Sequence, residues 1–317
     1  MKNIYSNIFS FNKKILGKSI KILKKGNLVG LPTETVYGLA GNAYLKKSIN
    51  KIYKLKKRTS KNPLIVHYLK YEDANEDIDF NDDFFKLYKK FCPGPITFIL
   101  KKKKDSKIND NATAKLDTVA IRFPSHKVVR AILKISDFPL AMPSANMSKK
   151  VSPVDAISVA EEFKKKLKFI INGGKSKIGI ESTVIDLTDK PKVLRPGVIS
   201  HKQLKKVLKK KVNYVITKSK IKSPGMLTKH YSPGIPVYIN QKTVKKGHAF
   251  ISFGRNFKRD KNTFNLSKNS NLKEAASNLY AIFRKIKNLK YKKIYVAKIP
   301  NKGIGIAIND RLRRASD

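Results

Sequence analysis

Apolar residues recur along this chain in short blocks separated by lysine-rich turns. Between 13 and 25, Ile15, Leu16, Ile20, Ile22 and Leu23 form an imperfect helical stripe that Gly26-Asn27 ends, and the run 28–31 reads as a buried strand. A second helix is predicted over 45–57, with Leu45, Ile49, Ile52 and Tyr53 on one face and Lys56 and Arg58 at its end. Strands follow at 64–69, 96–100, 119–123, 140–142, 169–171, 184–187 and 193–194, with helices near 83–91, 127–135 and 155–167. That alternation predicts an α/β domain over 1–210 with a large mixed sheet.

Periodicity fades over 211–234, where Pro224, Gly225, Pro233 and Gly234 mark a linker. The order then resumes over 235–317 as strands 237–239 and 249–253, helix 272–286, strand 293–299 and helix 304–314, which predicts a smaller Rossmann-like unit.

Composition narrows the function classes. The chain has 317 residues, enough for two cores, and a single cysteine, Cys92, which excludes an intramolecular disulfide and a multi-cysteine metal site. Residues 1–11 lack a leader pattern, and no run approaches the roughly 20 apolar residues of a membrane span, so a cytoplasmic chain without membrane contact is expected. The formal net charge is +48, from 70 Lys and Arg against 22 Asp and Glu. Only 10 of the basic residues are arginine, and the lysine runs at 101–104, 164–166 and 209–211 fall at predicted element ends. A solvated lysine surface explains them, with weak tRNA contact as the other reading.

Chemistry concentrates at strand ends. In Gly30-Leu31-Pro32-Thr33-Glu34-Thr35-Val36-Tyr37-Gly38, hydroxyls and a carboxylate sit where a strand hands over to a predicted helix; they serve either a ligand or a capped turn. Lys56 and Arg58 near Asn62 offer a point charge, a bidentate fork and an amide, suited to a triphosphate or simply to a helix dipole. Arg122 stands in the apolar strand Val119-Ala120-Ile121-Arg122-Phe123 and needs an anion, an internal carboxylate or a ligand. His67 in its strand is either a core histidine or a site residue. Gly173-Gly174-Lys175-Ser176 lacks the leading glycine of a P-loop, since Phe169 stands there.

Those segments, with Pro93-Gly94-Pro95, Pro143-Ser144-Ala145-Asn146, Glu181-Ser182-Thr183 and Leu194-Arg195-Pro196-Gly197, resemble the YrdC-type threonylcarbamoyl-AMP synthases. The likeness spans 13–210 and continues through Ser223-Pro224-Gly225-Met226 and His230-Tyr231-Ser232-Pro233 into the segment found in longer, two-domain members. It implies a twisted mixed sheet with a concave ligand cavity, joined to a Rossmann-like C-terminal domain. The implied reaction joins L-threonine, bicarbonate or carbon dioxide, and ATP into threonylcarbamoyl-AMP and pyrophosphate, with magnesium arriving on ATP. A separate transferase complex would then modify tRNA.

Carried over residue by residue, the resemblance gives Thr35, His67, Arg122, Met142 and Ser182 to threonine. It gives Lys56, Arg58, Asn62, Thr118, Ser144, Asn146, Ser152, Arg195 and Tyr231 to ATP, with Lys56 and Arg58 as the catalytic cations and Tyr231 on a linker across the site mouth. Met142 stands where a smaller residue is usual, Cys92 replaces a tryptophan, Asn172 an acidic residue, and Lys149-Lys150 fills a stretch that usually holds a glycine. The non-enzyme alternative is an RNA-binding or ribosome-assembly module on the same fold.

Overall fold

The computed structural model describes residues 5–214, 230–243, 247–257 and 260–316. Most of the expected linker, including Pro224 and Gly225, lies outside the described residues. The first unit is built from β1 (Ile8–Ser10), α1 (Lys13–Lys24), β2 (Val29–Leu31), β3 (Gly38–Asn42), α2 (Lys46–Lys56), β4 (Ile65–His67), β5 (Ile78–Asp79), α3 (Asp82–Phe91) and β6 (Ile96–Lys102). It continues through β7 (Thr118–Arg122), α4 (Lys127–Ile135), β8 (Leu140–Ala141), α5 (Ala156–Phe163), β9 (Ile170–Asn172), β10 (Thr183–Asp186), β11 (Lys192–Arg195), α6 (His201–Leu208) and β12 (Asn213–Tyr214). Among the described residues these strands make a 12-stranded mixed sheet in the order β1-β9-β2-β3-β8-β4-β7-β6-β10-β11-β12, with β5 against β6. The sheet thus reaches beyond residue 210, because β12 adds parallel to β11.

One expectation fails at the motif after β2. The chain passes there from strand to strand, with Val29, Gly30 and Leu31 pairing antiparallel to Ala40, Leu39 and Gly38. Helix α2 starts only at Lys46. The glycines and alanine of Gly38-Leu39-Ala40-Gly41 weaken the strand signal, yet this strand is buried along its whole length and needs small residues. A Cβ on Gly38 would lie 2.4 Å from the Met142 side chain, so this glycine makes room for the larger residue there.

The second unit has a parallel sheet of β13 (Val237–Tyr238), β14 (Ala249–Ser252), β15 (Thr263–Asn265) and β16 (Ile294–Val296) in the order β13-β16-β14-β15. Helices α7 (Leu272–Asn288) and α8 (Gly305–Ser316) complete it. Strand β15 has no counterpart in the sequence reading; its Thr-Phe-Asn is too short to show a period.

The two units share a core. Val36, Val151, Val154 and Ile180 of the first cluster with Leu279, Tyr280 and Phe283 of α7 and Ile308 and Leu312 of α8. Gly179 lets the two backbones come close. Its φ is +79°, and a Cβ there would lie 2.5 Å from Ser277 Cα and 2.7 Å from the Ala276 carbonyl oxygen. Gly179→Ala is therefore expected to cost about 2 kcal/mol or more, from left-handed strain plus backbone overlap. Denaturant unfolding measures it, and unchanged stability would contradict this packing.

Candidate active site

A line of register partners crosses the middle of the large sheet. His67 of β4 faces Arg122 of β7, and Arg122 faces Thr97 of β6. Directly opposed residues share a sheet face, so the imidazole, the guanidinium and the hydroxyl stand side by side. Over that face lies a cleft with about 530 Å³ of non-atom space, its open mouth included. Of the residues expected from the sequence, Thr35, Arg58, His67, Arg122, Met142, Ser144, Arg195 and Tyr231 line it.

The turn after β2 supplies one wall, and each of its threonines has its own work. Thr33 Oγ1 accepts from the amides of Thr35 and Val36 and donates to the Val36 carbonyl, which is the turn-forming role. Thr35 lines the cleft, its hydroxyl 2.9 Å from that of Thr33. The turn reading is thus met by Thr33, while Thr35 is left facing the cleft. Glu34 answers the question of Arg122's anion in part: Arg122 Nη2 donates to Glu34 Oε1 at 2.6 Å. The Arg122 Nε is buried without a hydrogen-bond partner. An orphaned buried donor of a cation is costly, so the guanidinium has one internal carboxylate and capacity for a second anion.

His67 is buried, and its Nδ1 lies 3.2 Å from the Ile65 carbonyl oxygen. Burial, then the neighbouring Arg122 charge, bring its pKa down to about 3. The ring is neutral at ordinary pH.

Arg58 is fixed by the loop that follows it. Its Nε donates to the Asn62 carbonyl at 3.0 Å, and its Nη2 to Asn62 Oδ1 at 2.5 Å and to the Pro63 carbonyl at 2.8 Å. Asn62 therefore stands behind Arg58 and aims it. Lys56 also differs from expectation. It is buried, and its amine donates to the carbonyls of Ser144 (2.5 Å) and Asn146. Burial pushes its pKa well below the usual lysine value, followed by repulsion from Arg58. The lysine pins the loop that brings Ser144 to the cleft. Asn146 braces that loop too, its amide donating to the carbonyls of Met147 and Lys150 at 2.8 Å and its Oδ1 accepting from Ser144 Oγ at 2.5 Å.

On the far side Arg195 ends β11; its Nε donates to the Ser182 carbonyl and its Nη2 to Ser182 Oγ, both at 3.0 Å. Ser182 Oγ also lies 2.8 Å from Thr97 Oγ1, so it orients this arginine. Ser152 Oγ donates to Glu181 Oε1 at 2.6 Å. Thr118 lies apart: it begins β7 and Arg122 ends it, and strand rise separates them by about 13 Å.

The sequence placed Tyr231 across the site mouth but gave His230 no part in that roof. His230 and Tyr231 line the cleft from the second unit's side, and the Tyr231 hydroxyl and His230 Nδ1 are buried without hydrogen-bond partners. Tyr231 stacks on Tyr280 at 5.9 Å and lies under the Arg311 guanidinium at 5.2 Å. Glu181, another lining residue, accepts from Arg311 Nε at 3.0 Å and from the Tyr280 hydroxyl at 2.9 Å. Glu34 was read only as the carboxylate of its turn, Glu181 lies in a segment singled out for Ser182, and Arg311 lies in the last predicted helix. A carboxylate beside lone buried arginines was the available signal.

A family model described as "Telomere recombination", covering the Sua5, YciO and YrdC proteins, matches residues 21–197. One described as "Threonylcarbamoyl-AMP synthase, C-terminal domain" matches residues 199–317. The threonylcarbamoyl-AMP synthase of Pyrococcus abyssi is 34% identical over 315 residues, covering 93% of this chain and 92% of its own. That of Bacillus subtilis is 33% identical over 327 residues, covering 97% and 94%. The crystal structure of P. abyssi Sua5 complexed with L-threonine superposes with a TM-score of 0.90 at 32% identity, covering 98% of this chain and 97% of that one. The chain therefore belongs to the Sua5/YciO/YrdC family of threonylcarbamoyl-AMP synthases, in its two-domain form.

Proposed function

We propose that this chain forms threonylcarbamoyl-AMP and pyrophosphate from L-threonine, bicarbonate or carbon dioxide, and ATP. The observation that carries the reading is the cleft's charge: Arg58, Arg122 and Arg195 line one pocket in which the lining carboxylate, Glu181, is already held by Arg311. Such a pocket takes a polyanion together with a small carboxylate.

The amino acid's carboxylate goes to Arg122, whose Nε has no internal partner, with Thr35, neutral His67 and Met142 around the side chain. Ser182 acts through Arg195, behind the pocket wall. The unprotonated amine of threonine attacks carbon dioxide, its lone pair forming the C–N bond as one C–O π pair moves to oxygen and the amine proton leaves to solvent. An oxygen of the resulting carbamate attacks the α-phosphorus, and pyrophosphate departs with the bonding pair. Arg58 and Arg195 offset the charge that builds on the triphosphate, Ser144 adds a hydroxyl, and Tyr231 meets the nucleotide with its free hydroxyl. Lys56, Asn62, Asn146 and Ser152 hold these groups in place. Thr118 has no assigned contact in this arrangement.

Among the described residues no group of three or more His, Cys, Asp or Glu side chains is placed to hold a metal ion. Glu34 and Glu181 are each engaged by an arginine. These residues do not fit a resident magnesium ion, so the ion belongs with ATP as a substrate complex and no step is routed through it. A mixed anhydride of this kind hydrolyses readily, which favours prompt transfer to a separate tRNA-modifying transferase in the cytoplasm. The lysine-rich surface supports transient tRNA contact during that transfer. No helix among the described residues is long and apolar enough to cross a membrane.

Purified protein is expected to release pyrophosphate only when ATP, L-threonine and bicarbonate are all present, with the carbamoyl adenylate found by mass; release that does not need threonine would contradict the assignment. Arg58→Ala should lower turnover at least about a hundredfold while the circular dichroism spectrum stays native, since its role is charge at the triphosphate. Arg122→Met should raise the threonine KM by about tenfold or more with less effect on ATP. Because His67 already lacks its proton well above pH 3, threonine affinity should show no inflection near the ordinary imidazole value of 6.5. An ordinary histidine would instead gain a charge as pH fell through that value, and a titration step there would contradict the geometry.

A further inference from the structure

Arg311 is fully buried on α8, in the second unit, yet its guanidinium reaches Glu181, a residue that lines the cleft. Its Nε donates to Glu181 Oε2 at 3.0 Å and its Nη1 to the Pro196 carbonyl at 2.7 Å, one residue beyond Arg195. Nη1 also donates to Asp310 Oδ2 at 2.8 Å, and the guanidinium carbon stands 5.2 Å from the Tyr231 ring centroid. One side chain therefore touches a lining carboxylate, the strand end that presents Arg195, and the tyrosine that roofs the site.

Glu181 is the key to what this achieves. It keeps two neutral donors of its own, Ser152 Oγ at 2.6 Å and the Tyr280 hydroxyl at 2.9 Å, so it does not need Arg311 merely to fill its hydrogen bonds. What Arg311 adds is charge. Burial alone would push the Glu181 carboxyl up, but Arg311 first and Arg195 second outweigh it and hold the pKa at about 2. A buried, ionised carboxylate beside a polyanion site repels the substrate unless a cation sits against it. Asp310, by contrast, keeps Arg314 as a partner at 3.0 Å whether or not Arg311 is present.

We infer that Arg311 is a positioning residue for the cleft, through which the second unit neutralises Glu181 and so makes the pocket receptive to an anionic nucleotide. This rests on the nucleotide reading proposed above. The second unit thereby acts on affinity for ATP, not on the bond-making atoms.

The test is calorimetric ATP affinity together with pyrophosphate release, on the full chain. Arg311→Met is expected to weaken ATP binding by about tenfold, while the rate at saturating ATP falls by less than about threefold. Adding Glu181→Gln to Arg311→Met removes the uncompensated charge and is expected to bring ATP affinity back within about threefold of wild type. A packing role cannot give that recovery, because two losses of packing accumulate. Arg311→Met strands a buried carboxylate and endangers the fold, whereas the double variant leaves no such charge and is expected to fold in either case. A double variant that does not fold, or that binds ATP more weakly than the single one, overturns the inference while leaving the function intact. Wild-type protein that binds no ATP overturns the functional reading, and this role with it.

Discussion

The buried balance of charge around one cleft is the constraint on which the rest of the structure turns. Lys56, Arg58, Arg122, Arg195 and Arg311 are all buried; Glu181 lines the cleft, and Glu34 stands against Arg122. Unpaired, such charges would each cost several kcal/mol. Each is instead answered locally: Lys56 by loop carbonyls, Arg58 by Asn62 and Pro63, Arg122 by Glu34, Arg195 by Ser182, and Arg311 by Glu181 and Asp310. Most of those answers are neutral oxygens. The pocket consequently keeps a surplus of positive potential that oriented dipoles hold in place, which is the arrangement that binds polyanions without prior reorganisation.

The fold exists to bring these answers together. Sheet register sets His67, Arg122 and Thr97 in a row, while the β2–β3 turn supplies Glu34 and Thr35 above it. The second unit then closes the site at Glu181 and Tyr231, and Gly179 lets it approach. Interdomain packing and site electrostatics are therefore the same contact seen from two sides.

Much of this was legible in the chain, for identifiable reasons. Helices α2, α3 and α4 carry clear apolar stripes, and α7 an acidic first turn with basic residues in its last, so their periods and ends were readable. Strand β3 was not, because small residues give no pattern, and β15 was too short. Within the site, sequence named the cations and hydroxyls but not where they point. Lys56 and Arg58 look equivalent in a K-x-R string, yet one faces loop carbonyls and the other lines the cleft. The Glu181–Arg311 pair lies 130 residues apart, and neither local period nor composition joins positions so distant.

The most direct test of this charge arrangement is a crystal structure of the chain with L-threonine and a non-hydrolysable ATP analogue. The threonine carboxylate is expected on Arg122 Nε, the phosphates against Arg58 and Arg195, and the Tyr231 hydroxyl on the nucleotide. An analogue bound outside this cleft, or a carboxylate that leaves Arg122 Nε unpaired, would contradict it.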